Sequence, residues 1–429
     1  MDSLVDFFSF RNANTFYVVF GSAILAASTA LVGTFSFLKK KSLAGDAVAH
    51  AVLPGICLAF LLSGNKNPLW LILGAFISGW FALVSIDFIT SRTRLKEDTA
   101  IGLVMSVYFG VGIVLLTSIQ HSGNAAQTGL EGFLFGKAAA LVGSDMWTFA
   151  GLSVLLLLTV VLFFKELTLI SFDENFAKVI GFPVRRLELL LTTLTVLAVV
   201  AGIQTVGVVL TAAMLITPAA AARFWTDRLP IMMGLAALIG AFSGISGAFA
   251  SYLAPAMPTG PWIVLVASAV AIGSFLFAPG RGTVAKWQRQ RAHRRKFGEE
   301  NLLKLFYKLG ENDAAFFVPR SQADILRARA FDSRALLNIL ARLVGEGYLR
   351  REGAAWQLTP EGRERGQRIT RLHRLWELYL TEYLRLAPDH VHDDAETMEH
   401  IITPEIELQL EKRLKHPQFD PHLARIPYD

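Results

Sequence analysis

The chain has 429 residues, of which 53% are hydrophobic and 18% charged, with a formal net charge of +6; it is too apolar for an ordinary soluble protein and long enough for two units. The apolar excess is uneven, since residues 1–280 hold 15 Lys+Arg and 13 Asp+Glu whereas residues 281–429 hold 26 and 22. A single cysteine, Cys57, set in an apolar run, excludes an intrachain disulfide and a cysteine-based zinc site.

Taken in chain order, Met1 to Asn14 carries two acids and one Arg ahead of an apolar run that is followed by Lys39, Lys40 and Lys41. A cleaved signal has its charges in front and small residues behind, so this run reads as a first membrane helix. A span needs about 20 mostly apolar residues. Nine stretches qualify, near 15–37, 46–63, 68–90, 98–118, 146–164, 187–202, 205–224, 230–253 and 261–278, with Thr217-Pro218 expected to kink or end the seventh. Gly132, Phe133, Phe135 and Gly136 form a shorter apolar patch of re-entrant or interfacial type. With the N-terminus outside, 12 of the 15 Lys and Arg residues of this half fall in inner loops. The positive-inside rule therefore fixes the orientation and puts everything after Arg281 in the cytoplasm.

Only two of the nine histidines, His50 and His121, lie in the apolar half. Asp46 and His50 are four apart, so on a helix they share a face and can share a cation. A carboxylate beside an imidazole suits first-row divalent ions such as manganese, zinc or iron(II), and ionisable groups inside a span usually face a polar pathway. The alternative is that Asp46 caps the second helix and His50 bonds a carbonyl; spacing alone leaves the two readings even. His121 lies in a loop and reads as solvated. Asp87 and Glu188 sit near inner span ends, where interfacial placement needs no function.

The segment Lys39-Lys40-Lys41 followed by Gly45-Asp46-Ala47, His50-Ala51 and Pro54-Gly55 resembles the permeases of the ABC-type manganese, zinc and iron importer family, over about residues 10–280. Residues 171–184 (SFDENFAKVIGFPV) resemble that family's cytoplasmic ATPase-docking loop, and residues 206–220 its late signature helix. The resemblance implies that Asp46 and His50 coordinate metal in the transport path. It implies that Asp173, Glu174, Ala177 and Gly181 belong to the coupling loop. It implies three partners besides the lipid bilayer: an extracytoplasmic metal-binding protein, a separate ATP-binding subunit, and a second permease chain, either a copy or a paralogue. The location implied is a bacterial inner membrane. No G-x-x-x-x-G-K-[ST] phosphate loop occurs, so the chain is expected to be no enzyme, with ATP hydrolysed on another subunit.

After the last span, residues 281–296 (RGTVAKWQRQRAHRRK) form a basic linker with Trp287, suited to anionic lipid headgroups. Helical periodicity over 299–309, 322–329 and 332–344, then short strands around Gly353, predict a winged helix-turn-helix. Arg334, Asn338 and Arg342 on its recognition helix are candidate DNA contacts, although the charge excess of residues 281–429 is small for a DNA binder. His373 and Glu377 are one turn apart, and His392, Glu396, Glu399 and His400 repeat that spacing; two such groups in succession point to metal.

This second half resembles the metal-binding and dimerisation region of DtxR-type iron and manganese repressors, over about 299–422. The resemblance implies a ligand set of His373, Glu377, His392, Glu396, Glu399 and His400. It favours manganese over iron(II) or zinc, because Glu396 stands where iron-responsive members have Cys. Asn301 and Lys304 stand where the family draws a ligand from its first helix.

The expected architecture is an all-α polytopic membrane protein of about nine transmembrane helices (1–280), a juxtamembrane linker (281–296), a winged helix-turn-helix (297–368) and a helical metal-binding and dimerisation region (369–429). The expected function is the membrane subunit of an ATP-driven importer of divalent transition metal, with a cytosolic metal-sensing domain that regulates uptake. The alternatives are a membrane-tethered, metal-dependent DNA-binding regulator, or a domain that only dimerises the permease.

Overall fold

The computed structural model describes residue 7 and residues 13–64, 68–121, 143–253, 257–386 and 402–428. The chain divides into two compact units, Met1–Lys286 and Trp287–Asp429.

The first unit is helical. Its elements are α1 (Ala13–Leu38), α2 (Ala44–Ser63), α3 (Pro68–Arg92), α4 (Glu97–His121), α5 (Gly143–Leu162), α6 (Phe164–Phe172), α7 (Glu174–Val179), α8 (Val184–Val206), α9 (Val208–Arg223), α10 (Leu229–Leu253) and α11 (Thr259–Phe277). Among the described residues, seven of these helices are long and apolar enough to cross a membrane. The pair α5 and α6, bent by 69°, makes an eighth if it is one span. Only closed hydrogen-bonding elements survive in hydrocarbon, which is why each apolar run is a helix. All nine expected stretches are helical, but the seventh, α9, is only 16 residues long. Gly207 separates it from α8 with φ 91° and ψ 165°, a backbone region open essentially to glycine alone. Pro218 does not end α9, which runs on to Arg223. The patch at 132–136 lies outside the described residues.

Close helix approach rests on small residues. A Cβ at Gly33 of α1 would lie 1.7 Å from the Leu215 carbonyl oxygen of α9, and one at Gly55 of α2 would lie 2.1 Å from the Gly74 oxygen of α3. The spans α1 and α2 are 67% and 72% buried, whereas α3, α4 and α11 are 33%, 28% and 22% buried. The helix α2, which carries Asp46 and His50, is thus the most enclosed element, packed between α3, α4 and α9.

The second unit begins within α12 (Thr283–Asn312), a helix that includes all of the basic run 281–296 except Arg281 and Gly282. It continues through β1 (Arg320–Ser321), α13 (Gln322–Ala328), α14 (Ser333–Gly345), β2 (Leu349–Glu352), β3 (Ala355–Leu358), α15 (Pro360–Leu384) and α16 (Pro404–Arg413). Ser321 and Asp324 form a capping box on α13, and Asp332 caps α14 by accepting from the Ala335 amide. The α14 side chains Leu336, Leu340 and Leu343 are buried with Leu302, Leu303, Phe306, Ile325 and Trp356. The strands pair antiparallel in the order β1-β3-β2, with Arg351 opposite Trp356. Three helices and this wing make a winged helix; the two-residue β1 was not expected, because it is too short to leave a pattern.

Candidate functional site

α2 starts at Ala44 with Leu43 as its N-cap, and Leu43 makes no side-chain cap bond. Asp46 lies in the first turn, where a carboxylate complements the helix dipole. Asp46 Oδ1 lies 3.6 Å from His50 Nε2, with side-chain exposures of 41% and 27%. The two ligand atoms of one ion, each bound at about 2.1 Å, are about 3.0 to 3.4 Å apart, so the pair needs little adjustment to chelate. The His50 ring meets Phe109 of α4 edge-on, centroids 5.3 Å apart. Gly45 sits against Ala212 and Leu215 of α9, which brings that late helix to the turn bearing Asp46.

The basic triplet before α2 is tied down. Lys39 Nζ donates to Glu188 Oε1 of α8 at 2.8 Å, and Lys41 Nζ donates to Asp87 Oδ1 of α3 at 3.1 Å. Both pairs, with Glu97 and Ala44, line a small cavity of about 40 Å³. Asp87 and Glu188 therefore fasten the α1–α2 connection to two spans, a role that sequence reading missed. The separations of 46 and 149 residues leave no local signal.

Of the residues expected in a coupling loop, Asp173 caps α7 by accepting from the Phe176 amide at 2.9 Å, and Glu174 accepts from Lys178 at 2.5 Å. That lysine holds the Glu174 carboxyl below its ordinary range. Ala177 is buried, and Gly181 takes φ 88°, which a side chain would strain. Around them Phe176, Val179, Ile180 and Phe182 are exposed, leaving an apolar knob. His121 is exposed and bonds the Thr117 carbonyl.

In the second unit, His373 and Glu377 share one face of α15, with Nε2 3.1 Å from Oε1 and both residues buried. Lys304 of α12, also buried, lies with Nζ 3.3 Å from His373 Nδ1. One turn before it, the buried Asn301 Oδ1 has no hydrogen-bond partner among the described residues. His392, Glu396, Glu399 and His400 lie outside the described residues, and among the described residues no group of three or more His, Cys, Asp or Glu side chains could hold a metal ion. On α14, Arg334 and Asn338 are exposed, whereas Arg342 is half-buried and its Nε lies 2.9 Å from Glu299 Oε1. Burial raises the Glu299 carboxyl above its ordinary range.

Among the described residues the apolar spans hold one half-buried carboxylate–imidazole pair and lead into a winged-helix unit, the layout of a multi-pass membrane protein with a separate C-terminal domain. Residues 12–278 match the ABC 3 transport family, and the chain belongs to it. Residues 359–428 match the iron dependent repressor, metal binding and dimerisation domain. The manganese transport system membrane protein MntC of Bacillus subtilis (strain 168) is 43% identical over 378 residues, which is 88% of this chain and 86% of that protein. The zinc transport system membrane protein TroC of Treponema pallidum (strain Nichols) is 44% identical over 275 residues, 64% of this chain and 92% of that protein. A probable metal transport system membrane protein of Chlamydia trachomatis is 29% identical over 95% of this chain and 96% of its own length. Among solved structures, PsaBC from Streptococcus pneumoniae in complex with Fab matches with a TM-score of 0.58 and 34% identity, covering 65% of this chain and 97% of that one. The chain is thus a transport permease and not an enzyme, an integral membrane protein whose C-terminal domain is cytoplasmic.

Proposed function

We propose that this chain is the membrane subunit of an ATP-driven importer of manganese-class divalent metal, with Asp46 and His50 as ligands in its path. The observation that carries the reading is this pair, set at chelating distance and half-exposed on the most enclosed span. The relatives named for manganese and zinc transport support the cargo class. A carboxylate beside an imidazole suits first-row divalent ions alike; manganese stands first on the resemblance at Glu396, with iron(II) and zinc as the runners-up. An ATP-binding subunit docks on the apolar knob around α7, an extracytoplasmic binding protein delivers the metal, and a second permease chain completes the path. The test is ATP-dependent uptake of radioactive manganese, zinc and iron(II) into vesicles reconstituted with those partners. Asp46→Ala and His50→Ala each abolish it; normal uptake by the double variant sinks the assignment.

The C-terminal domain, with its winged helix at 297–368 and repressor-like region at 369–429, acts on the transporter and not on operator DNA. Two observations favour this: residues 297–429 carry 19 Lys+Arg against 22 Asp+Glu, and Arg342 is held by Glu299. A DNA reader needs a basic footprint. A coupling of about 1 to 3 kcal/mol between this domain and the permease changes uptake measurably. Deletion of 297–429 is expected to alter the dependence of uptake on cytosolic metal. An unchanged dependence leaves the dimerisation role, and a metal-dependent shift of DNA by the intact chain restores the tethered-regulator reading.

A further inference from the structure

The chain turns from α1 into α2 over residues 39–43. The start of α2 has no side-chain cap, because its N-cap, Leu43, offers no acceptor. Lys40, inside the turn, takes φ 60°, a left-handed backbone that persists only where the surroundings impose it. Two ion pairs flank it: Lys39 Nζ to Glu188 Oε1 of α8 at 2.8 Å, and Lys41 Nζ to Asp87 Oδ1 of α3 at 3.1 Å. The Lys39 side chain is only 11% exposed, so its bond escapes much of the screening that weakens surface pairs. One turn further into α1, the buried Ser36 and Thr195 hydroxyls lie 3.3 Å apart, a second link between α1 and α8.

Glu188 stands in the second turn of α8, which starts at Val184 and follows α7 after residues 180–183. That connector is tied by its own backbone: the Gly181 amide donates to the Lys178 carbonyl, the Phe182 amide to the Ala177 carbonyl, and the Val184 amide to the Phe182 carbonyl. A connector bonded in this way passes a displacement of α7 into α8 instead of absorbing it. Glu188 is then about 6 Å along the helix from its first residue. The charges follow the same route. The Glu174 carboxyl, held low first by its bond from Lys178, is lowered further by Lys39 and Lys41, and Glu188 adds to Glu174 in raising the Lys178 ammonium.

We propose that the Lys39–Glu188 bond is a strut by which movement of α7 reaches the turn ahead of Asp46, while Lys41–Asp87 holds the far side of that turn to α3. Lys39 and Glu188 are positioning residues, acting through the first turn of α2. The inference rests on the reading of α7 as the dock of the ATP-binding subunit.

The experiment reconstitutes the full chain with the ATP-binding subunit and the binding protein in vesicles, and measures manganese uptake and ATP hydrolysis together. Lys39→Met is expected to lower uptake per ATP by about fivefold or more, with the manganese KM and the binding of the ATP-binding subunit unchanged. Glu188→Gln, which keeps the side-chain shape, acts in the same direction and carries the measurement should Lys39→Met not fold. Lys39→Arg, which keeps the pair, and the exchange of Lys39→Glu with Glu188→Lys, which reverses it, are expected to recover most of the loss. Wild-type uptake per ATP in both folded single variants, a loss expressed as KM or subunit binding, or no recovery in the exchanged pair overturns the proposal. If the wild-type chain does not bind the ATP-binding subunit, the docking reading fails and the strut with it. Normal uptake by the Asp46→Ala, His50→Ala double variant sinks the ligand reading alone, and uptake per ATP in the Lys39 and Glu188 variants still decides the strut.

Discussion

Replacing Gly55 by Ala tests whether helix approach positions the Asp46–His50 pair proposed to bind metal. The added Cβ would lie 2.1 Å from the Gly74 carbonyl oxygen, 2.6 Å from Ser78 Cβ and 2.7 Å from the Gly74 carbonyl carbon. Carbon and oxygen rest at about 3.3 to 3.6 Å, so α2 and α3 must part by about 1 Å. Two of the three obstructing atoms are main chain, which no rotamer change relieves, so the cost falls toward the upper end of the roughly 1 to 3 kcal/mol typical of overpacking. His50 is five residues away, about 7.5 Å along the helix, and shares the displacement. Ligand sites need placement within about 0.5 Å, so uptake is expected to fall on the order of tenfold or more. The assay is the initial rate of ATP-driven manganese uptake in vesicles, with thermal unfolding of the same preparations. Gly234→Ala on α10 is the control, since a Cβ there meets nothing within 4 Å. If Gly55→Ala matches Gly234→Ala in both measurements, the crossing of α2 and α3 does not set the site.

Asp173→Ala removes the α7 cap, worth about 1 kcal/mol, and should weaken binding of the ATP-binding subunit about fivefold, read by titration against the permease in nanodiscs. Arg374→Met strips the charged partner from Asp420, which is 6% exposed, and from Glu311, bonded at 2.6 and 2.9 Å; the soluble unit should lose about 3 to 5 kcal/mol in denaturant unfolding, whereas Glu311→Gln, at the less buried partner, should cost less. Cys57 is fully buried on α2, so maleimide should label it only after denaturation; fast labelling of the native chain would refute the packing of that helix.

The spans were legible because hydrocarbon demands long apolar runs and the inner loops hold the cations, so composition alone located every helix of the first unit that was sought. The expected span edges at 164 and between 202 and 205 fall within a few residues of the bend at Phe163 and the interruption at Gly207. The 69° bend and the extended backbone at Gly207 were not legible, because periodicity carries no mark of direction. The approach of Asp46 to His50 was legible because both side chains sit on one helix at a fixed spacing. The pairs Lys39 with Glu188 and Lys41 with Asp87 are made between helices, and nothing in sequence registers one span against another. The same holds for Lys304: its identity was a visible departure from the family's ligand, but its placement against His373 belongs to the packing of α15 on α12.

Gly207 bears on how this chain can vary. Between Val184 and Arg223 only the exposed positions let one aliphatic side chain replace another freely; buried ones such as Ala198 and Ala222 are limited in size by what they touch. Gly207 is limited differently, by its φ and ψ, which disfavour any Cβ whatever the space around it. A saturation library scored for uptake would separate the two: buried alanines would admit small residues, whereas the Gly207 column would stay empty.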